Sequence, residues 1–98
     1  MTSVLPLSDN QKGLIRVVVY PIMFEPDPVA VVDRVLNHVV FRNDDKARDA
    51  DEMLAAIEAG IAGQEKLAEL LPQDHPESTI RRYLTEAARR LRARGART

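Results

Sequence analysis

The feature that most constrains this fold is an apolar stripe near the C-terminus, in the stretch "STIRRYLTEAARRL". Its apolar side chains recur at helical spacing, at Ile80, Tyr83, Leu84, Ala87, Ala88 and Leu91. This 3.6-residue repeat is typical of a helix with one buried face. Asp74 and Glu77 are spaced like a capping box, Pro76 suits a first helical turn, and Gly95 suits a C-terminal cap. The pattern therefore predicts an amphipathic helix within residues 74–97.

Two upstream stretches repeat this helical spacing. One follows the acidic sequence "NDDKARDADE" and consists of Ala50, Met53, Leu54, Ile57 and Ile61. The other follows Asp27, a plausible N-cap, and Pro28, which suits the first helical position. Its stripe consists of Val32, Val35, Leu36, Val39 and Val40. Between the acidic stretch and the last helix, "QEKLAELLP" predicts about two further helical turns before Pro72.

Residues 13–24, "GLIRVVVYPIMF", are compatible with a helix or a strand. Helical spacing places three side chains on one face, Leu14, Val18 and Ile22, and Ser8 with Gln11 forms a possible capping box. The Val and Ile content favours a strand instead, and Pro21 biases Tyr20 away from helical geometry. We prefer the helix, because a lone strand would leave its backbone groups unpaired.

The fold prediction is an all-α, small single-domain helical bundle of four to five helices. The alternative is an α+β fold with one short strand pair at residues 14–20 and 38–41. Ninety-eight residues suit one domain over residues 1–98. We expect residues 1–7 and 96–98 to be frayed tails.

Composition limits the core and the chemistry. Two Tyr, two Phe and no Trp or Cys leave an aliphatic core without disulfides, thiolate metal ligands or a cysteine nucleophile. No apolar run approaches the roughly 20 residues of a membrane span, and the N-terminus lacks a signal-peptide pattern. We therefore expect a cytoplasmic protein without membrane association.

No motif predicts catalysis, a metal site or a cofactor. His38 and His75 lack the i+4 ligand of a helical zinc site, and structural or surface roles are expected for both. The acidic stretch fails as an EF-hand loop, because counting from Asn43 places Arg48 where a Gly is needed. Gly60 and Gly63 lack the Lys-Ser or Lys-Thr pair of a phosphate-binding loop. The sequence predicts a protein that is not an enzyme and holds no cofactor.

Charge is strongly polarised along the chain although the net charge is only −1. Residues 43–77 contain three basic and ten acidic side chains, whereas residues 78–98 contain seven basic and one acidic. Such an acidic segment attracts a basic partner at long range. The predicted partner-binding carboxylates are Asp44, Asp45, Asp49, Asp51 and Glu52, with Asp74 and Glu77 as a second patch.

The basic segment suggests nucleic-acid contact as an alternative function. The candidate contacts are Arg81, Arg82, Arg89, Arg90 and Arg92. Nucleic-acid binding is nevertheless disfavoured, because arginines near a helix C-terminus complement its dipole and Glu86 has i,i+4 spacing to both Arg82 and Arg90. A further alternative is a homo-oligomeric adaptor in which the basic helix of one copy meets the acidic segment of another.

Residues 53–91, "MLAAIEAGIAGQEKLAELLPQDHPESTIRRYLTEAARRL", resemble the C-terminal part of small helical immunity proteins of contact-dependent growth inhibition and related bacterial toxin systems. The resemblance rests on a leucine-rich short helix, a Pro-Gln-Asp-His turn and an "IRRYL" helix. It implies a cytoplasmic protein that binds a cognate toxin domain, often a nuclease, and covers its active site or substrate groove. No contact residue carries over by position. Tyr20, Phe24 and Phe41 are candidate anchors for the partner, although we expect each of them in the core.

Overall fold

The computed structural model describes residues 7–40, 47–63, 66–71 and 73–95. Four α-helices make up the fold: α1 (Asp9–Val19), α2 (Val32–Val39), α3 (Ala47–Ala62) and α4 (Glu77–Ala93). Short 3₁₀ turns occupy Tyr20–Ile22, Pro28–Val31 and Leu67–Glu69. The all-α prediction is confirmed, with four helices and no strand in the described ranges.

The strand alternative for residues 14–20 and 38–41 is wrong, because these stretches lie in or next to α1 and α2 wherever the structure describes them. The capping box predicted for α1 is present. The Gln11 amide donates to Ser8 Oγ at 3.1 Å, and the Ser8 amide donates to Gln11 Oε1 at 3.0 Å. Pro21 does not force Tyr20 out of helical geometry, since Tyr20 keeps helical backbone angles and Pro21 enters the 3₁₀ turn that follows.

Helix α4 packs against α2, α3 and the 3₁₀ turns at Pro28–Val31 and Leu67–Glu69. All six residues of its predicted stripe are buried. The Tyr83 hydroxyl donates to the Val18 carbonyl oxygen at 2.6 Å, which ties α4 to the C-terminal end of α1. Burial raises the pKa of the Tyr83 hydroxyl above its usual value. The aliphatic stripes of all four helices thus meet in one core.

The beginning of α4 differs from the sequence prediction. The helix starts at Glu77 after Pro76 at the N-cap, and no side chain caps it, so the predicted Asp74–Glu77 capping box is wrong. The physical reason is that the Glu77 carboxylate bonds to the amides of a different element, at Leu67 and Ala68. At the other end the prediction is confirmed, since Gly95 has the positive φ of 99° that a helix-terminating glycine allows.

Three smaller expectations are also corrected. The predicted two helical turns after residue 64 reduce to one 3₁₀ turn at Leu67–Glu69. Asp27 precedes the 3₁₀ turn at Pro28–Val31 without a side-chain cap. Leu7, assigned to a frayed tail, is 7 % exposed and belongs to the core, because its apolar side chain is covered there. Residues 1–6 and 96–98 lie outside the described ranges.

Candidate protein-interaction surface

The two histidines have different surroundings. His75 Nε2 lies 2.8 Å from the Ile22 carbonyl oxygen, so this ring joins the entry of α4 to the 3₁₀ turn after α1. His38 is exposed near the end of α2. Among the residues that the structure describes, no group of three His, Cys, Asp or Glu side chains is placed to hold a metal ion. The expected structural or surface roles of the histidines agree with these positions.

The predicted acidic surface is only partly within the described residues. Asp44 and Asp45 lie outside them, and for Asp49 only the helical backbone is described. Asp51 is half-buried and Glu52 is exposed in the first half of α3, and each interacts within the chain. The described part of the main patch is therefore the first half of α3.

The two residues of the second predicted acidic patch, Asp74 and Glu77, have different surroundings. Asp74 is exposed, whereas Glu77 accepts hydrogen bonds from the Leu67 amide at 3.0 Å and the Ala68 amide at 2.8 Å. Its carboxylate also accepts from Arg81 Nε at 2.8 Å. Burial acts to raise the pKa of the Glu77 carboxyl, but these three hydrogen bonds outweigh it and lower the pKa below its usual value. Glu77 therefore holds the 3₁₀ turn at Leu67–Glu69 onto α4, and its contribution to a partner-facing patch stays a prediction.

The arginines of α4 bond mainly within the chain. Arg81 donates from Nη1 to the Ile61 carbonyl oxygen at 3.0 Å and from Nη2 to the Gly63 carbonyl oxygen at 3.3 Å, which satisfies the C-terminal end of α3. Three others pair with carboxylates: Arg89 with Glu86, Arg90 with Glu86 and Asp33, and Arg92 with Glu58. Four of the five arginines proposed for nucleic-acid contact thus have internal partners.

Glu86 pairs with Arg89 and Arg90, so its predicted pairing with Arg90 is confirmed and its predicted pairing with Arg82 is wrong. Hydrogen bonds from Arg89, followed by the charges of Arg89 and Arg90, lower the pKa of the Glu86 carboxyl to about 2. Arg82 is exposed and contacts no carboxylate within the described part of the chain. The basic helix therefore presents much less uncompensated charge than its sequence suggests.

The unusual surface feature is apolar. Val17, Tyr20 and Phe24 are 46 %, 68 % and 90 % exposed. The expectation that Tyr20 and Phe24 belong to the core is wrong, because the inward face of this segment is already occupied by Ile15, Val18, Val19 and Ile22. Phe41, the third candidate anchor, lies outside the described residues. Two of the four aromatic side chains of the protein are thus left in water.

Two of these side chains, Val17 and Tyr20, line a groove of about 450 Å³ between α1 and the end of α2, which we call the apolar groove. Its apolar wall consists of Val17, Tyr20, Pro21, Val39 and Leu71, and its polar side chains are Arg16 and His38. The groove volume is in the range of about 300–1,000 Å³ that is common for binding pockets.

A second hollow of about 280 Å³ shares Val17 and Val39 with the apolar groove. It extends to Met53 and the exposed Glu52 of α3. One described acidic residue, Glu52, and one exposed apolar residue, Val17, therefore line the same hollow. The surface combines an apolar centre with a charged edge, as protein-binding surfaces do.

Sequence reasoning missed most of the groove, including Val17, Pro21, Val39 and Leu71. One signal was present, since Val17, Tyr20 and Phe24 recur at i, i+3 and i+7 on a different face from Ile15. A helix with apolar side chains on two faces has one face more than a small core can cover. No local pattern indicates that α2 and Leu71 complete the groove, because they come from distant parts of the chain.

Comparisons with protein-family models, with curated proteins and with solved structures gave no match. Within the described ranges, none of the helices has the length and apolarity needed to cross a membrane.

Proposed function

We propose that this chain acts by binding a protein partner. We propose further that it is an immunity protein, which neutralises a cognate bacterial toxin domain such as a nuclease. The single observation that carries the binding proposal is the exposed apolar surface at Val17, Tyr20 and Phe24 beside the apolar groove. The resemblance of residues 53–91 to small helical immunity proteins supplies the class of partner. We place the protein in the cytoplasm with that partner.

An exposed aromatic pair supports binding because burial of such side chains releases free energy. Each buried aromatic side chain removes about 150–250 Å² from water, and Tyr is enriched among the residues that dominate binding energy. The partner would cover Tyr20 and Phe24, while the carboxylates at the first half of α3 attract a basic surface from a distance. A nuclease substrate groove is such a basic surface, since it binds phosphates.

The internal pairing of the α4 arginines supports this proposal over the two alternatives. A nucleic-acid contact or a second acidic chain would have to compete with Glu86, Asp33 and Glu58 for Arg89, Arg90 and Arg92. Breaking those ion pairs would offset part of the gain from the new contact. The apolar surface, in contrast, has no internal competitor among the described residues.

The test is protection of growing cells. Cells that express the toxin encoded beside this gene should survive when the wild-type protein is co-expressed, and a double Tyr20→Asp, Phe24→Asp variant should lose protection because it places two charges at the contact. Thr85→Asp adds a charge to an exposed position of α4, lining a different hollow, and should keep protection. Circular dichroism must show that all variants keep their helices. Absence of protection by the wild-type protein would contradict the toxin assignment, and full protection by the double variant would contradict the assigned surface.

A further inference from the structure

We propose that the apolar groove binds one amphipathic helix of the partner protein, and that this helix carries a carboxylate which pairs with Arg16. The inference rests on the proposed function and specifies the chemistry of the partner at this surface. It differs from the role of the acidic segment, which attracts basic groups elsewhere on the same partner.

The wall of the groove offers no free strand edge among the described residues, which disfavours an occupant that binds as a β-strand. It is formed by α1, the 3₁₀ turn after it and α2, whose backbone groups largely bond within their own elements. The adjacent Leu70 carbonyl oxygen accepts from Arg16 Nε at 3.0 Å. An extended segment pairs with a free sheet edge, and no strand is present within the described ranges. A helix satisfies its own backbone, and helices bind apolar grooves through side chains at i, i+3 or i+4 and i+7, so we infer a helical occupant.

The positive charge of Arg16 at the groove favours an occupant that carries a negative charge. Arg16 is exposed and contacts no carboxylate among the described residues, whereas Arg89, Arg90 and Arg92 each have one. Among the described residues the Arg16 guanidinium group bonds through Nε alone, so both of its terminal nitrogens are available for a carboxylate of the partner. His38 lines the same groove and supplies a further hydrogen-bonding group. Partial exclusion of water by the bound helix strengthens the pair between Arg16 and the carboxylate.

A displayed library of helical peptides, randomised on one face, tests this inference with the full-length protein. Selection on the wild type should enrich helices that combine large apolar side chains at i, i+3 or i+4 and i+7 with an adjacent Asp or Glu. Fluorescence anisotropy then gives the Kd of individual peptides. Arg16→Glu should raise the Kd of the enriched peptides about tenfold, since it replaces attraction by repulsion. Selection on this variant should replace the acidic residue by Lys or Arg.

Matched variants distinguish a contact in the apolar groove from a general effect of charge on binding. Arg82→Glu makes the same charge change at another exposed arginine that contacts no carboxylate in the described residues, and should leave the Kd unchanged. Val17→Glu places a charge in the apolar wall and should abolish binding. Arg16→Gln keeps a donor for the Leu70 carbonyl oxygen and should give an intermediate loss, which guards against a folding defect in Arg16→Glu.

Recovery of no groove-dependent helix, or binding that is insensitive to Arg16, would overturn the inference. So would a sedimentation experiment that shows a wild-type dimer dissociated by Val17→Glu, because the occupant would then be a second copy. If the wild type protects cells while selected helices ignore Arg16, the proposed function stands and this inference fails. If the helices depend on Arg16 but the protein gives no protection, the groove chemistry stands and the toxin assignment fails.

Discussion

At the scale of single residues, one carboxylate joins three elements of the fold. Glu77 accepts from the amides of Leu67 and Ala68 and from Arg81, and Arg81 in turn donates to the carbonyl oxygens at the end of α3. Each of these backbone groups lacks a partner in its own helix or turn. The pair therefore replaces two conventional helix caps.

We expect Glu77→Gln to lower the free energy of unfolding by about 1–3 kcal/mol at pH 7, because an amide group cannot replace the charge and both acceptor oxygens. The folded-state pKa of Glu77 is lowered, so its stabilisation is complete above its usual value of 4.5 and is lost as the pH falls through the folded-state pKa. The difference in the free energy of unfolding between wild type and variant should therefore narrow as the pH falls below 4.5. Urea unfolding at a series of pH values measures it.

Asp74→Asn is the matched control, because it removes one carboxylate from an exposed position three residues earlier. Its stability should stay within about 0.5 kcal/mol of the wild type. Equal effects of the two substitutions would show that Glu77 has no special structural role.

At the scale of elements, close packing decides where a glycine is required. A Cβ atom built on Gly60 would lie 3.0 Å from Ile15 Cδ1 and 3.3 Å from Leu67 Cδ2. Both of these side chains are fully buried, so each would have to shift by a few tenths of an ångström within the core. Gly60 thus permits α3 to approach α1 and the following 3₁₀ turn, and lies inside a helix that continues to Ala62.

We expect Gly60→Ala to destabilise the protein by about 1 kcal/mol or more, because overpacking outweighs the better helix propensity of Ala. Gly13→Ala is the contrasting variant, since a Cβ atom at Gly13 in α1 would meet nothing within 4 Å. It should stabilise the protein by about 0.5–1 kcal/mol. Thermal or urea unfolding shows whether each variant is more or less stable than the wild type. A higher stability of Gly60→Ala would contradict the packing argument.

At the scale of the whole molecule, the charge distribution changes between sequence and structure. The sequence presents an acidic and a basic segment with nearly equal and opposite net charge, but most arginines of α4 are neutralised by internal partners. In the first half of α3, Glu52 lines the hollow that also contains Val17 of the apolar surface. We infer that the paired arginines of α4 contribute little to the long-range field that a partner meets.

Single charge reversals at Asp44, Asp45 and Asp49 should each slow association with the toxin several-fold at low salt, about 10 mM. The effect should fade toward high salt, where screening shortens the range of the field. Glu69→Lys changes the same charge on the exposed part of the Leu67–Glu69 turn and should have a smaller effect. Stopped-flow association rates measure this, and rates that do not depend on these three residues would remove the electrostatic part of the proposal.

The sequence predicted the elements better than the surface. Residues 80–91 and the stripes of α2 and α3 were recognisable because a 3.6-residue repeat is a local property. The Ser8–Gln11 cap was recognisable for the same reason. The supposed cap at Asp74 failed because Glu77 bonds to a turn ten residues earlier, and spacing cannot show such a partner. Tyr20 and Phe24 were assigned to the core on their apolarity alone.

The sequence by itself determined the amphipathic helices α2, α3 and α4, an aliphatic core without cysteine chemistry, and the polarity of charge along the chain, because these depend only on composition and on local residue order. Tertiary structure alone decided which of those charges remain uncompensated and which apolar side chains face water. Both outcomes depend on contacts between residues far apart in sequence, such as Arg90 with Asp33, or α1 with the end of α2 and Leu71 in the apolar groove. The proposed partner surface is therefore a product of packing, because only packing leaves Tyr20 and Phe24 exposed and leaves Arg16 without a carboxylate partner among the described residues.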